Sequence, residues 1–159
     1  AHRRADADKE VKAMNQLSPG HFMTLHARRQ LAAYDADLPQ ELLCTEQLLT
    51  LFPEDLRLQF DRSNILSILG RREERVEILK KLAEKKETDP AFWQLYAQEL
   101  SFDARQNTTT LYLLKKAMRA TPPGAPFFGR LFDTLARIRW EQRNFDEAMQ
   151  LHHFATCAD

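Results

Sequence analysis

Glycine is scarce in this sequence, 4 of 159 residues, and it holds no glycine-rich phosphate loop, serine-centred nucleophile elbow or H-E-x-x-H pattern. The commonest nucleotide-binding and hydrolytic signatures are thereby missing, so neither an enzyme nor a cofactor is expected. Cysteine is scarcer still. Cys44 and Cys157 lie far apart, form no metal-type pair, and read as buried small residues of a reducing compartment. No run of Val, Ile and Thr alternates with period two, so no strand is expected. No apolar stretch approaches the ~20 residues of a membrane span, and the polar opening Ala1-His2-Arg3-Arg4-Ala5-Asp6 is unlike a secretory leader. The sequence starts without Met and inside helix-forming residues, which reads as a piece of a longer chain; a cytoplasmic setting is the default expectation. Net charge is also absent, with 23 Lys and Arg balancing 23 Asp and Glu. A phosphate backbone demands concentrated positive charge, so this balance argues against direct nucleic-acid binding.

What is present is helix-forming material. Leu, Ala, Glu, Arg, Gln and Lys dominate, and 43% of the residues are hydrophobic, enough for a core. Four prolines that follow apolar helical runs, Pro19, Pro53, Pro90 and Pro122, are separated by 34, 37 and 32 residues. Each interval accommodates two helices of about 12 to 15 residues and two tight turns.

The intervening segments support that division. Ser18-Pro19 reads as N-cap and first helical residue of a helix running to Tyr34. Asp35-Ala36-Asp37 is a turn, and Pro39 opens a helix to about Phe52. A helix from near Glu54 ends at Gly70, where glycine best tolerates a left-handed cap. Glu73 to Lys86 puts Val76, Leu79, Leu82 and Ala83 on one face. Asp89-Pro90 opens a helix with Trp93, Tyr96, Ala97 and Leu100 in one stripe, and Asn107 or Thr108 is the expected cap of the helix that follows. The last pair begins at Pro126, and Asn144 with Glu147 has the form of a capping box.

Several of these segments resemble the tetratricopeptide repeat (TPR) family. Asn144-Phe145-Asp146-Glu147-Ala148-Met149 is similar to the opening of that repeat's second helix, and Lys115 to Pro122 to its close. Trp93, Tyr96, Ala97 and Leu100 resemble its first-helix pattern, and Gly70-Arg71-Arg72-Glu73-Glu74 its inter-helix turn. Departures are Arg62 in place of a large apolar residue, Arg75 in place of a small one, a third unit without the turn glycine, and a junction lengthened over Pro122 to Pro126. The resemblance implies an all-α fold: a right-handed superhelix, or α-solenoid, of antiparallel helix hairpins forming a single domain over 1–159. It would comprise a half-repeat at 8–18 and repeats at 19–53, 54–89, 90–122 and 126–159.

In such a solenoid the hairpins share one core. Trp93, Tyr96, Phe127, Phe128, Phe132 and Phe145 are its expected aromatic members. The resemblance also implies a concave surface lined by first helices, with a protein or peptide partner bound there. Positions pointing away from the packed stripe are Gln94, Gln98 and Ser101; Phe60, Asn64 and Ser67; His26, Gln30 and Ala33; and Asp133, Arg137 and Trp140. The candidate binding residues are accordingly Gln30, Phe60, Asn64, Gln94, Gln98, Asp133, Arg137 and Trp140. Their amides donate to and accept from a peptide backbone, and Phe60 and Trp140 are potential anchors. Taken singly, each reads as part of a solvated polar face; taken together, the column reads as a ligand groove. The lysines with which one TPR subtype clamps a terminal carboxylate are missing from these positions.

Other readings have less support. His153 and Cys157 are an i, i+4 pair, but two ligands do not make a structural metal site. Trp93-Gln94-Leu95-Tyr96-Ala97 also resembles the half-a-TPR repeats of RNA-processing scaffolds, in one unit only. The last helix offers Leu151, Phe154 and Ala155 with nothing following to cover them, which suggests a continuing chain or a homodimer.

Overall fold

A computed structural model describes residues 2–85, 89–125 and 127–158. It contains α1 (His2–Leu17), α2 (Phe22–Tyr34), α3 (Leu38–Leu51), α4 (Leu56–Ile68), α5 (Arg72–Glu84), α6 (Pro90–Leu100), α7 (Asn107–Ala120), α8 (Phe128–Glu141) and α9 (Phe145–Ala158). A 3-10 turn at Ala104–Gln106 precedes α7, and no strand occurs among the described residues. The expected helix end at Lys86 and start at Pro126 fall outside the described residues.

Aspartates start several helices by accepting hydrogen bonds from otherwise unpaired amides. The Asp37 carboxylate accepts from Gln40 N at 3.1 Å, Asp55 from Arg57 N and Leu58 N, and Asp89 from Ala91 N at 2.8 Å. The expected start at Ser18-Pro19 is corrected. Ser18 to Gly20 form a turn, and His21 caps α2 by accepting from Met23 N at 3.3 Å. Asn107 is the first residue of α7, whose cap position, Gln106, makes no side-chain cap bond. Asn144 and Glu147 do meet, through Asn144 Nδ2 donating to Glu147 Oε2 at 2.7 Å, a side-chain bond rather than the backbone exchange of a capping box.

Three hairpins close by the same turn. After α2, α4 and α8 one residue takes a positive φ: Ala36 (56°), Gly70 (71°) and Arg143 (61°). In each, the next amide reaches back five residues along the chain: Asp37 N to Ala32 O, Arg71 N to Leu66 O and Asn144 N to Arg139 O, all 2.9 Å. This is the Schellman arrangement, which satisfies carbonyls that a helix end leaves free. Ala36 and Gly70 stand 34 residues apart, so the turns carry the periodicity of the prolines. The α6–α7 connection lacks the turn glycine and is built instead from Ser101 to Asp103 and the 3-10 turn.

The chain divides within α5 into two compact units, one ending at Arg75 and one beginning at Val76. In the first, α1 packs on α2, α2 on α3 and α3 on α4. Leu25, Leu48 and Leu58 form a buried cluster, joined by Leu49. Arg62 and Arg75 have polar partners here: Arg62 pairs with Glu46 at 2.8 Å, and Arg75 Nη1 donates to Ser67 Oγ at 2.6 Å. Cys44 is buried, as expected.

In the second unit α6 packs on α7, α8 on both, and α9 on α8. Ala97, Leu100, Leu113, Leu114, Ala117, Leu131 and Ile138 make the core, with Trp93, Tyr96 and Phe128 half-buried against it. Burying one such Leu contributes about 1.5–3 kcal/mol. The Trp93 indole N–H donates to Ala83 O at 2.9 Å, securing α6 to the end of α5. Four surface expectations are corrected. Phe145 is exposed, stacked edge-on against Trp140 rather than in the core. Ala155 is buried and Leu151 half-buried, because they face α8, and Cys157 is exposed.

Candidate functional site

Successive turns of α8 bring Asp133, Arg137 and Trp140 to one side of that helix, as the i, i+4, i+7 spacing predicts. The α8–α9 hairpin then adds Ala148, Met149 and His152. Together with Ala136 they line an open depression of about 460 Å³. His152 Nδ1 lies 2.8 Å from Asp133 Oδ1, the ring N–H donating, and this bond ties α9 to α8 across the rim. Both side chains are more than half exposed, so the pair contributes at most about 1 kcal/mol. Trp140 is 57% and Met149 67% exposed, leaving a polarisable apolar surface beside two charged groups.

Arg137 is engaged on its inner side. Its Nη1 donates to Ser101 Oγ at 3.3 Å, and its Cζ lies 4.1 Å from the centroid of the Phe102 ring. Ser101 is itself buried and donates to Gln98 O at 2.7 Å. The guanidinium is thus positioned by the end of α6.

Gln94 departs from its expected open position. It is 1% exposed, and its Nε2 donates to Gln98 Oε1 at 3.2 Å. An amide this deep needs an internal partner, and half-buried Gln98 supplies one.

The remaining candidates lie in the first unit. Gln30 lines a second depression of about 460 Å³, with Arg4, Ala7, Val11, Met14, Leu31 and Tyr34 among its other walls, between α1 and α2. Arg4 closes one side by a bidentate hydrogen bond to Asp35. That bond holds the Asp35 carboxyl below its usual range. Phe60 and Asn64 sit half-buried one turn apart on α4 and do not belong to this depression.

Met149, His152 and Phe102 were not among the expected groove residues, which were drawn from first helices alone. The available signal was Met149 and His152, three residues apart and so neighbours on the surface of the last helix. No group of three or more His, Cys, Asp or Glu suited to a metal ion exists among the described residues. His153 Nε2 and Cys157 Sγ stand 3.9 Å apart as an isolated pair. No described helix is long and apolar enough to cross a membrane. No known family model matches this sequence, and no curated protein matches it significantly.

Proposed function

We propose that this chain is a helical-repeat scaffold of the TPR kind that binds a peptide or helix of a partner protein, without catalysis. The observation that carries this reading is the depression on α8 and α9, where exposed Trp140 and Met149 stand beside Asp133, Arg137 and His152. Exposed aromatics next to a positioned arginine are the residue types that dominate interface energy. The recurrent Schellman turns at Ala36, Gly70 and Arg143 support the repeat architecture on which the reading depends.

The test is affinity capture from lysate with wild type and a Trp140→Ala, Met149→Ala variant whose melting temperature is checked beforehand. Specific proteins retained by the wild type and lost by the folded variant support the reading. Identical captures by the two proteins would remove the depression from it.

Self-association is a second reading, favoured by the exposure of Phe145, Met149 and Phe154 along α9. Light scattering that reports a monomer at high concentration would eliminate it.

A further inference from the structure

Positive charge is concentrated in one stretch of this neutral chain. Residues 104–132 contain no Asp or Glu, yet they carry Arg105, Lys115, Lys116, Arg119 and Arg130. α7 gathers three of these cations around a depression of about 290 Å³ lined by Trp93, Tyr112, Lys115, Lys116, Arg119 and Ala120. Lys115 and Arg119 are exposed and one helical turn apart, so they share a face. Lys116 Nζ sits 4.1 Å from the Trp93 ring centroid. Tyr112, 65% exposed, offers an uncovered ring at the rim.

Several surface cations elsewhere are paired with a carboxylate, and this cluster is not. Arg4 pairs with Asp35, Lys12 with Asp8, Arg71 with Glu74, Arg105 with Asp103 and Arg139 with Glu147. Among the described residues, Lys115, Lys116 and Arg119 have no carboxylate within ion-pair distance. Like charges at i, i+4 disfavour a helix by a few tenths of a kcal/mol. Three like charges thus stand close together with no carboxylate among the described residues at ion-pair distance.

We propose that this face of α7 is a second docking site, for an acidic segment of a partner protein. Its carboxylates would pair with Lys115, Lys116 and Arg119, and an apolar side chain would lie against Tyr112. A nucleic acid fits less well. Single-strand sites run over about 4–16 nucleotides, whereas these cations span little more than one helical turn and the acid-free stretch is bounded by Asp103 and Asp133. The site is independent of the α8–α9 depression.

The experiment is fluorescence anisotropy with a labelled peptide of about twelve residues alternating Glu or Asp with Leu, at about 50 and about 500 mM salt. A lysine peptide and an oligo-uridine of similar length serve as competing probes. The wild type is expected to bind the acidic peptide saturably and at least about tenfold more weakly at high salt. Lys115→Glu with Arg119→Glu should weaken binding by about tenfold or more at unchanged melting temperature. Lys115→Gln with Arg119→Gln provides a charge-neutral version should the reversal unfold the protein. Tyr112→Ala should lose a few-fold with the salt dependence retained. Absent binding at low salt, or equal binding by the folded double variants, overturns the proposal. So does tighter binding of the oligo-uridine, which would assign the face to nucleic acid. Binding lost with Trp140→Ala but kept by the α7 variants would place the peptide in the other depression and likewise overturn it.

Discussion

Arg137 approaches Phe102 to 4.1 Å from ring centroid to guanidinium carbon while its Nη1 donates to Ser101 Oγ. One side chain on α8 thus satisfies two groups at the end of α6. A cation over an aromatic ring contributes about 0.5–1 kcal/mol near the surface, and a hydrogen bond a similar amount. Arg137→Ala should therefore destabilise the protein by about 1–2 kcal/mol in urea unfolding. Arg137→Lys keeps the charge but loses the planar fork and should recover only part of that loss. If the alanine variant proves neutral, the contact is not structural and Arg137 is free to serve a ligand.

Arg143 and Ala36 occupy left-handed backbone at φ 61° and 56°, where Gly70 does the same job without a Cβ. Non-glycine residues pay about 1–2 kcal/mol in this region, partly offset by the greater unfolded-state freedom of glycine. Arg143→Gly and Ala36→Gly should each raise stability by about 0.5–1 kcal/mol. The converse change, Gly70→Ala, meets no atom within 4 Å. Its expected cost of about 1 kcal/mol is therefore backbone strain alone. Thermal unfolding of the three variants checks the set, and a destabilised Arg143→Gly would contradict the turn geometry.

Gln94 is buried and bonded to Gln98, so its removal should register as a folding defect. Gln94→Ala is expected to cost about 1–3 kcal/mol, from lost packing and an amide partner left unpaired. A double-mutant cycle with Gln98→Ala should give a coupling of about 0.5–1.5 kcal/mol. Additive effects would show that the two amides do not interact.

Glu74 receives both forks of Arg71, Nε to Oε1 at 2.6 Å and Nη2 to Oε2 at 2.7 Å. These hydrogen bonds hold its carboxyl below the usual glutamate range, against a smaller opposing effect of desolvation. A depressed carboxylate stabilises the fold fully above its unfolded value, and that contribution fades as pH falls through the lower folded value. Arg71→Gln should thus return the Glu74 titration, followed by NMR, toward the ordinary range and flatten the acid limb of the stability curve. An unchanged titration would show that the pair does not persist in solution.

Much of the helix plan was legible in local chemistry. Asp89-Pro90 marked the start of α6, Asp35 to Asp37 the first hairpin turn, and Gly70 the end of α4, because capping and positive φ are properties of a few adjacent residues. The stripe of Trp93, Tyr96, Ala97 and Leu100 was equally readable, since helical spacing alone puts them on one face. The same local logic misjudged Ser18-Pro19, where a good cap and proline pair precedes a turn instead of opening the helix.

The sequence by itself determined an all-helical chain, the places of most helix ends and the apolar face of α6. Those depend on interactions spanning at most a few residues. Only the tertiary structure decided that Gln94 is buried while Trp140, one hairpin later, is open, that Met149 and His152 join Asp133, and that Lys115, Lys116 and Arg119 face no carboxylate among the described residues. Such facts depend on which helix lies against which face. Helical periodicity states which residues share a side, and packing between segments distant in the chain decides what that side meets.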